Sequence, residues 1–247
     1  MATHRALGPG LAEEFYHRDL VLRLTSSAIE HHSKLRRQLL HRGEVADTFE
    51  PDLLFPGRLV VELKSLRGEF APEHFSQLFA YLKFHAIATG LLFDFGQASL
   101  AFQRVLFEPA ETNFPDAVAP GWAQPPELAA TILSLIREIH HHHGLGYRES
   151  TLRGLFVAAL RAEQVSHQIE PVADIGRFGP AALRCVVVDE RCAVSITALG
   201  EGVSTADRAY LQTCLHWLDL PWGLAVHFGR RNLSLRFVAV PSPKDSP

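Results

Sequence analysis

Residues 52 to 64 read Asp52-Leu-Leu-Phe-Pro-Gly-Arg-Leu-Val-Val-Glu62-Leu-Lys64. An acid precedes a Pro56-Gly57 turn signal between two apolar runs, so the stretch predicts a β-hairpin that brings Glu62 back toward Asp52. Side chains alternate across a strand, which puts Glu62 and Lys64 on one face and Val61 and Leu63 on the other. Two carboxylates and an amine then converge inside an apolar sheet. Burying such charges is costly unless they are paired or hold a metal. A hard divalent cation, Mg²⁺ or Mn²⁺, takes oxygen ligands and needs only one or two protein carboxylates when water and a phosphate fill the other positions. Glu62 and Asp52 are the candidate ligands. Lys64 is the candidate group for orienting an attacking water or stabilising charge that grows on phosphate. An E-x-K pattern also describes solvent-facing charges on an ordinary strand, so the hairpin alone leaves both readings open.

The chain has 247 residues, 47% hydrophobic and 21% charged, a composition that fits one large or two small globular domains. No apolar run approaches the roughly 18 residues that span a membrane, and no basic stretch with an apolar core opens the chain, so a cytoplasmic protein without membrane contact is expected. A formal charge of −3 argues against a wholly basic coat, so any nucleic-acid contact is expected to be local. Cys185, Cys192 and Cys214 have no metal-ligand spacing. The first two flank an expected hairpin and could face each other, although reduced core thiols suit the cytosol better.

The second half repeats the first. Ala88-Thr-Gly90-Leu-Leu-Phe-Asp-Phe-Gly96 aligns with Pro221-Trp-Gly223-Leu-Ala-Val-His-Phe-Gly229, each glycine 133 residues from its counterpart, and Leu100-Ala-Phe-Gln-Arg-Val aligns with Leu233-Ser-Leu-Arg-Phe-Val. Gly8, Gly10 and Glu13 fall on Gly144, Gly146 and Glu149 at an offset of 136. A tandem duplication is the simplest account. Helices are expected near residues 11–31, with a stripe of Leu11, Phe15, Leu20, Leu22 and Leu24, and near 72–88, 126–142, 146–165 and 204–219. Strands are expected near 35–41, 48–55, 58–66, 90–95 and 99–107. Helices alternating with a mixed sheet indicate an α/β fold.

These residues carry a family resemblance. His4-Arg-Ala-Leu-Gly8-Pro-Gly10-Leu-Ala-Glu13-Glu-Phe-Tyr16 resembles the motif for which the GxxExxY family is named, with Gly10, Glu13 and Tyr16 at its spacing. The Asp52 to Lys64 hairpin, the helix with Gln77 and Tyr81, and the Gly90 to Gly96 strand are similar to the family's later blocks, in order, over residues 4–107. The resemblance implies a PD-(D/E)XK nuclease fold, a central mixed sheet flanked by helices, and a divalent-metal phosphodiesterase acting on DNA or RNA. It implies that Glu13 adds an acid to the metal site of Asp52 and Glu62, and that Gln77 and Tyr81, four apart on one helix face, form the adjoining wall. Tyr16 suits packing better than chemistry. Lys83, Lys34, Arg36 and Arg37 are the cations that would meet phosphates.

By the 133 offset, Asp52 falls on Cys185, Glu62 on Ser195, Lys64 on Thr197, Gln77 on Tyr210 and Tyr81 on Cys214. No hard-metal ligand set survives, so the second copy is expected to fold but not to catalyse. The division expected is a nuclease-like domain at 1–108, a linker at 109–126 rich in Pro and Ala, and the degenerate copy at 127–247. That copy would serve as an intramolecular pseudo-dimer partner, or bind nucleic acid or protein, with Arg230 and Arg231 its most phosphate-like spot. The run His140 to His143 points around a helix rather than along one face, which disfavours a zinc site there. The alternative function is a non-catalytic nucleic-acid- or protein-binding module built from a decayed duplication.

Overall fold

Gly8-Pro9-Gly10 breaks the chain between two helices, α1 (Ala2–Leu7) and α2 (Glu13–Ser26), with Gly10 at φ +82°. The computed structural model describes residues 1–110 and 113–240, so two residues of the expected linker and the last seven of the chain lie outside it. There follow β1 (His32–Ser33), β2 (Arg37–His41), β3 (Glu44–Phe49), β4 (Leu53–Phe55), β5 (Leu59–Lys64), α3 (Pro72–His85), β6 (Thr89–Asp94) and β7 (Ala101–Leu106). The second half runs α4 (Pro126–His143), α5 (Glu149–Ala162), β8 (His167–Ile169), β9 (Val172–Asp174), β10 (Pro180–Ala182), β11 (Val186–Val188), β12 (Cys192–Ala198), α6 (Thr205–Trp217), β13 (Trp222–Phe228) and β14 (Leu233–Ala239). The chain divides into two units, Met1–Leu39 with Thr48–Pro109, and Leu40–Asp47 with Ala110–Pro247.

The first unit holds a five-stranded sheet in the order β1-β4-β5-β6-β7. Its only parallel pair is β5 with β6. Parallel neighbours need a long crossover, and α3 supplies it. The turn expected at Pro56-Gly57 forms, with Gly57 at φ +65° and Arg58 N–H donating to Phe55 O at 3.0 Å. Val61 and Leu63 pack on the α2 side with Tyr16, Leu53 and Phe95. The stripe of α2 that covers them is Tyr16, Leu20, Val21 and Leu24, whereas Leu11, Phe15 and Leu22 are exposed. The sequence stripe was therefore rotated, because it favoured large apolar residues over the 3.6-residue period that begins at Tyr16.

On the other face, a Cβ on Gly90 would sit 2.9 Å from the Leu78 side chain, so the glycine lets α3 lie close on β6. Residues 90, 92 and 94 of β6 share that face with their register partners 60, 62 and 64 of β5. Glu62, Lys64 and Asp94 therefore look toward α3.

The second unit holds a sheet in the order β8-β11-β12-β13-β14, again with one parallel pair, β12 with β13, spanned by α6. A Cβ on Gly223 would meet Leu211 of α6 at 3.1 Å, the counterpart of Gly90 under Leu78. A small two-stranded sheet interrupts each chain path between the first two strands of the large sheet, β2 with β3 and β9 with β10. Cys185 and Cys192 do not face each other, because the β11–β12 register sets Val188 opposite Cys192 and Val186 opposite Val194. Cys185 instead hydrogen-bonds to Cys214, and all three thiols are buried and free.

Residues 40–47 make a dense polar seat within the second unit. A Cβ on Gly154 would lie 2.0 Å from Ala46 O, so only glycine admits that carbonyl. Thr151 donates to Asp47, and Arg42 pairs with both Glu138 and Glu163. His41 Nδ1 lies 3.0 Å from His143 Nε2, while His140 packs its ring near Phe114 and His142 donates to Glu138 O. The histidine run thus spreads around α4, as its spacing predicts. No helix among the described residues is long and apolar enough to cross a membrane.

Candidate functional site

Strand β4 begins only at Leu53, because Pro51 has no N–H with which to extend the ladder toward its N-terminal end. The last β4–β5 pair is Leu53 with Val61, which leaves the Leu63 N–H beyond the end of β4. Asp52 Oδ2 accepts that N–H at 2.8 Å. The Asp52 backbone is itself held from two sides. Lys34 N–H donates to its carbonyl at 3.1 Å, and His17 Nε2 of α2 lies 3.2 Å from the same oxygen. The buried His17 also lies 3.1 Å from Ser33 Oγ. His17 is thus a positioning residue for Asp52 that sequence reading missed.

Glu62 is 3% exposed, in the middle of β5. Its Oε1 accepts from Lys64 Nζ at 2.8 Å, and its Oε2 is buried with no hydrogen-bond partner. Burial, reinforced by the charge of Asp52, pushes the Glu62 carboxyl up to about 7 against the opposing pull of Lys64. Burial pulls Lys64 down, but Glu62, Glu13 and Asp52 outweigh it, so its ammonium is held above the usual lysine range. Those three carboxylates are the ones whose fields reach Lys64.

Glu13 opens α2, where a carboxylate also favours the helix N-terminus. Its Oε1 accepts from Ser65 N–H at 3.2 Å, one residue past Lys64. Tyr16 explains how Glu13 is delivered there. The phenol donates to Gly8 O at 2.8 Å, accepts from Leu11 N–H at 2.9 Å, and stacks on Phe95 at 4.4 Å, pinning the loop before α2. Tyr16 therefore packs and positions.

Gln77 and Tyr81 share one face of α3 and bond directly, Gln77 Nε2 donating to Tyr81 Oη at 2.9 Å. Tyr81 in turn donates to Glu50 O at 3.4 Å, beside the segment that carries Asp52. The proposed cations lie in different settings. Lys34 Nζ is engaged by Glu14 at 2.8 Å, and Arg37 is exposed at the start of β2. Lys83 is half-buried over the Phe107 ring, and burial lowers it to about 8.

Asp94 is the second residue that sequence reading passed over. It is buried, pairs in register with Lys64, and its Oδ1 accepts the N–H groups of both Leu66 and Gly96 at 2.8 Å. An acid inside an otherwise apolar strand was a visible signal for it. Its bonds tie the ends of β5 and β6 together just beyond Lys64.

The donor set fits a hard divalent cation in one respect, since an unpartnered buried carboxylate oxygen sits beside a second carboxylate. Among the described residues no three His, Cys, Asp or Glu side chains converge into a ligand group, so Glu13 is not gathered with Asp52 and Glu62 into a preformed cage. Two protein carboxylates, with water and substrate oxygens completing the shell, is the arrangement that Mg²⁺ commonly uses.

The family model for the PD-(D/E)XK nuclease superfamily matches residues 1–105. A solved structure described as the crystal structure of SSO0001 is similar at 19% identity over 38% of this chain and 50% of that one, with a TM-score of 0.32. The chain thus spans about half the length of that protein. No curated protein matches the sequence.

Proposed function

We propose that the first unit is a divalent-cation-dependent phosphodiesterase acting on nucleic acid, and that the second unit is a duplicated, catalytically silent copy. The observation that carries the reading is the buried, unpartnered Oε2 of Glu62 beside Asp52 and Lys64. The superfamily match over residues 1–105 supports the same reading. The Gly10, Glu13 and Tyr16 arrangement favours the GxxExxY family within it. The shared strand order and the equivalent Gly90–Leu78 and Gly223–Leu211 contacts support the duplication. Three free, buried thiols fit a reducing compartment such as the cytoplasm.

Asp52 and Glu62 would hold Mg²⁺ or Mn²⁺, which when bound supplies charge stabilisation at the phosphoryl group. Lys64 stays charged in the field of its three carboxylates and can donate to a phosphate oxygen on which negative charge develops. Glu13 fixes the backbone at Ser65 and contributes to that field. Gln77 and Tyr81 brace the Glu50 to Asp52 segment. A water attacks phosphorus in line with the leaving oxygen. Arg37, exposed, and Lys34, exchanging Glu14 for phosphate, would meet the backbone.

Among the described residues no third side chain joins the two carboxylates, and the second reading is a non-catalytic nucleic-acid- or protein-binding module with a residual acidic site. Calorimetric Mn²⁺ titration separates the two. A proton on Glu62 competes with the cation, so the raised carboxyl sets the pH range over which affinity changes. Affinity should rise roughly tenfold per pH unit below about pH 6.5 and level off above about pH 8. In Glu62→Gln both the pH dependence and at least about tenfold of affinity should be lost. Absence of Mn²⁺ binding at pH 8, with or without nucleic acid, would favour the module.

A further inference from the structure

In the second unit, the positions that align with the Glu13, Glu62, Lys64 and Gln77 set have not closed over. Glu149, Ser195, Thr197 and Tyr210, with Arg184 and Asp207, line a cavity of about 310 Å³. That volume lies at the lower end of the range for small-molecule sites. Ser195 is 6% exposed, lines this cavity, and its Oγ is buried with no hydrogen-bond partner. A buried hydroxyl left without a partner is uncommon and calls for an explanation.

The lining selects against two classes of ligand. A hard cation would meet hydroxyls where the first unit has Glu62 and Lys64, and among the described residues neither lining carboxylate carries a buried, unpartnered oxygen like Glu62 Oε2. A free phosphate would meet two carboxylates and a single guanidinium. The walls instead suit a flat, neutral molecule rich in N–H donors. The Arg184 guanidinium lies 5.4 Å from the centre of the Tyr210 ring, and Tyr210 Oη accepts the Arg184 backbone N–H at 2.8 Å, which sets two flat groups together on one wall. Asp207 Oδ2 is engaged by Ser204 in the α6 cap, and among the described residues Glu149 has a single long ion pair, 3.7 Å to Arg153, so carboxylate oxygens remain to accept from a ligand.

We propose that this cavity binds a guanine base, edge-on to the carboxylates, stacked against the Arg184–Tyr210 wall and hydrogen-bonded to Ser195 Oγ. The imino and amino N–H groups of guanine form the fork that a carboxylate accepts, whereas adenine lacks that fork. The site is independent of cation chemistry in the first unit.

The test is calorimetric titration of the full chain in EDTA with guanosine, inosine, adenosine, and a thymine oligonucleotide carrying one guanine. Guanosine should bind, inosine about tenfold more weakly for want of the 2-amino group, and adenosine more weakly still. Ser195→Val should weaken guanosine binding about tenfold without lowering the melting temperature, since the hydroxyl it removes is unpaired. Arg184→Ala, on the exposed wall, should weaken it comparably and covers the case in which Ser195→Val fails to fold. Binding of the oligonucleotide far above free guanosine assigns the base to a strand, and the converse assigns it to a free nucleoside. Glu62→Ala should bind guanosine as the unaltered protein does, which separates this site from the proposed catalytic one. Equal binding of guanosine and adenosine, no guanosine binding at millimolar concentration, or unchanged binding in both cavity variants would overturn the proposal.

Discussion

Lys64→Ala is expected to reduce Mn²⁺-dependent cleavage of nucleic acid by about 10³-fold or more, the scale seen when one donor to a developing oxyanion is removed. The lysine has no other evident task. Among the described residues its ion pair is with Glu62, and its charge is maintained by the carboxylates around it. In the second unit Thr197 stands on β12 opposite His227 of its parallel neighbour, as Lys64 stands opposite Asp94, so a neutral residue is compatible with such a sheet. Loss of the ammonium does leave Glu62 buried and unpaired, yet a carboxyl already raised to about 7 can take up a proton. Circular dichroism should therefore be nearly unchanged while gel-based cleavage disappears. Cleavage surviving in Lys64→Ala would remove this residue from the mechanism.

Gly96→Ala should be the most damaging single-methyl change in the first unit. A Cβ at residue 96 would lie 2.0 Å from Leu66 O and 2.5 Å from Leu66 N, both backbone atoms that cannot rotate away. The Leu66 and Gly96 amides are also held by one Asp94 oxygen, so relieving the clash breaks that clamp. A destabilisation on the order of 3 kcal/mol is expected, equivalent to a fall in melting temperature of roughly 10 °C. Gly68→Ala is the control, in the β5–α3 loop that carries Leu66. Its Cβ would meet nothing within 4 Å and its φ is not positive, so its effect should stay within about 0.5 kcal/mol. Thermal melts of the two variants decide the matter, and equal melting temperatures would contradict the close approach.

The strand carrying Glu62 and Lys64 was legible because an alternating pattern fixes faces without knowledge of neighbours. Helix α3 was legible for a similar reason, since Gln77 and Tyr81 at a spacing of four must share a side. What could not be read were the long-range acceptors. Nothing local to Asp52 says that its oxygen caps the Leu63 amide, nor that His17, thirty-five residues earlier, holds its carbonyl. The rotated stripe on α2 shows the limit of residue type as a guide, because exposed Phe15 and Leu22 outweighed the buried His17 in the pattern. The Cys185–Cys214 contact was readable in principle. Those cysteines align with Asp52 and Tyr81, and Tyr81 bonds the carbonyl of Glu50, two residues before Asp52. The 133-residue offset thus pointed to a contact for Cys185, whereas hairpin reasoning offered only Cys192 as a residue it could face.

Anomalous diffraction from crystals grown with Mn²⁺ tests directly whether Asp52 and Glu62 serve as a cation site. The expected result is one strong peak within coordination distance of Glu62 Oε2 and an Asp52 carboxylate oxygen, absent in Glu62→Ala. A map with no peak between these carboxylates at saturating Mn²⁺ and pH 8, or with its peak elsewhere, would contradict it.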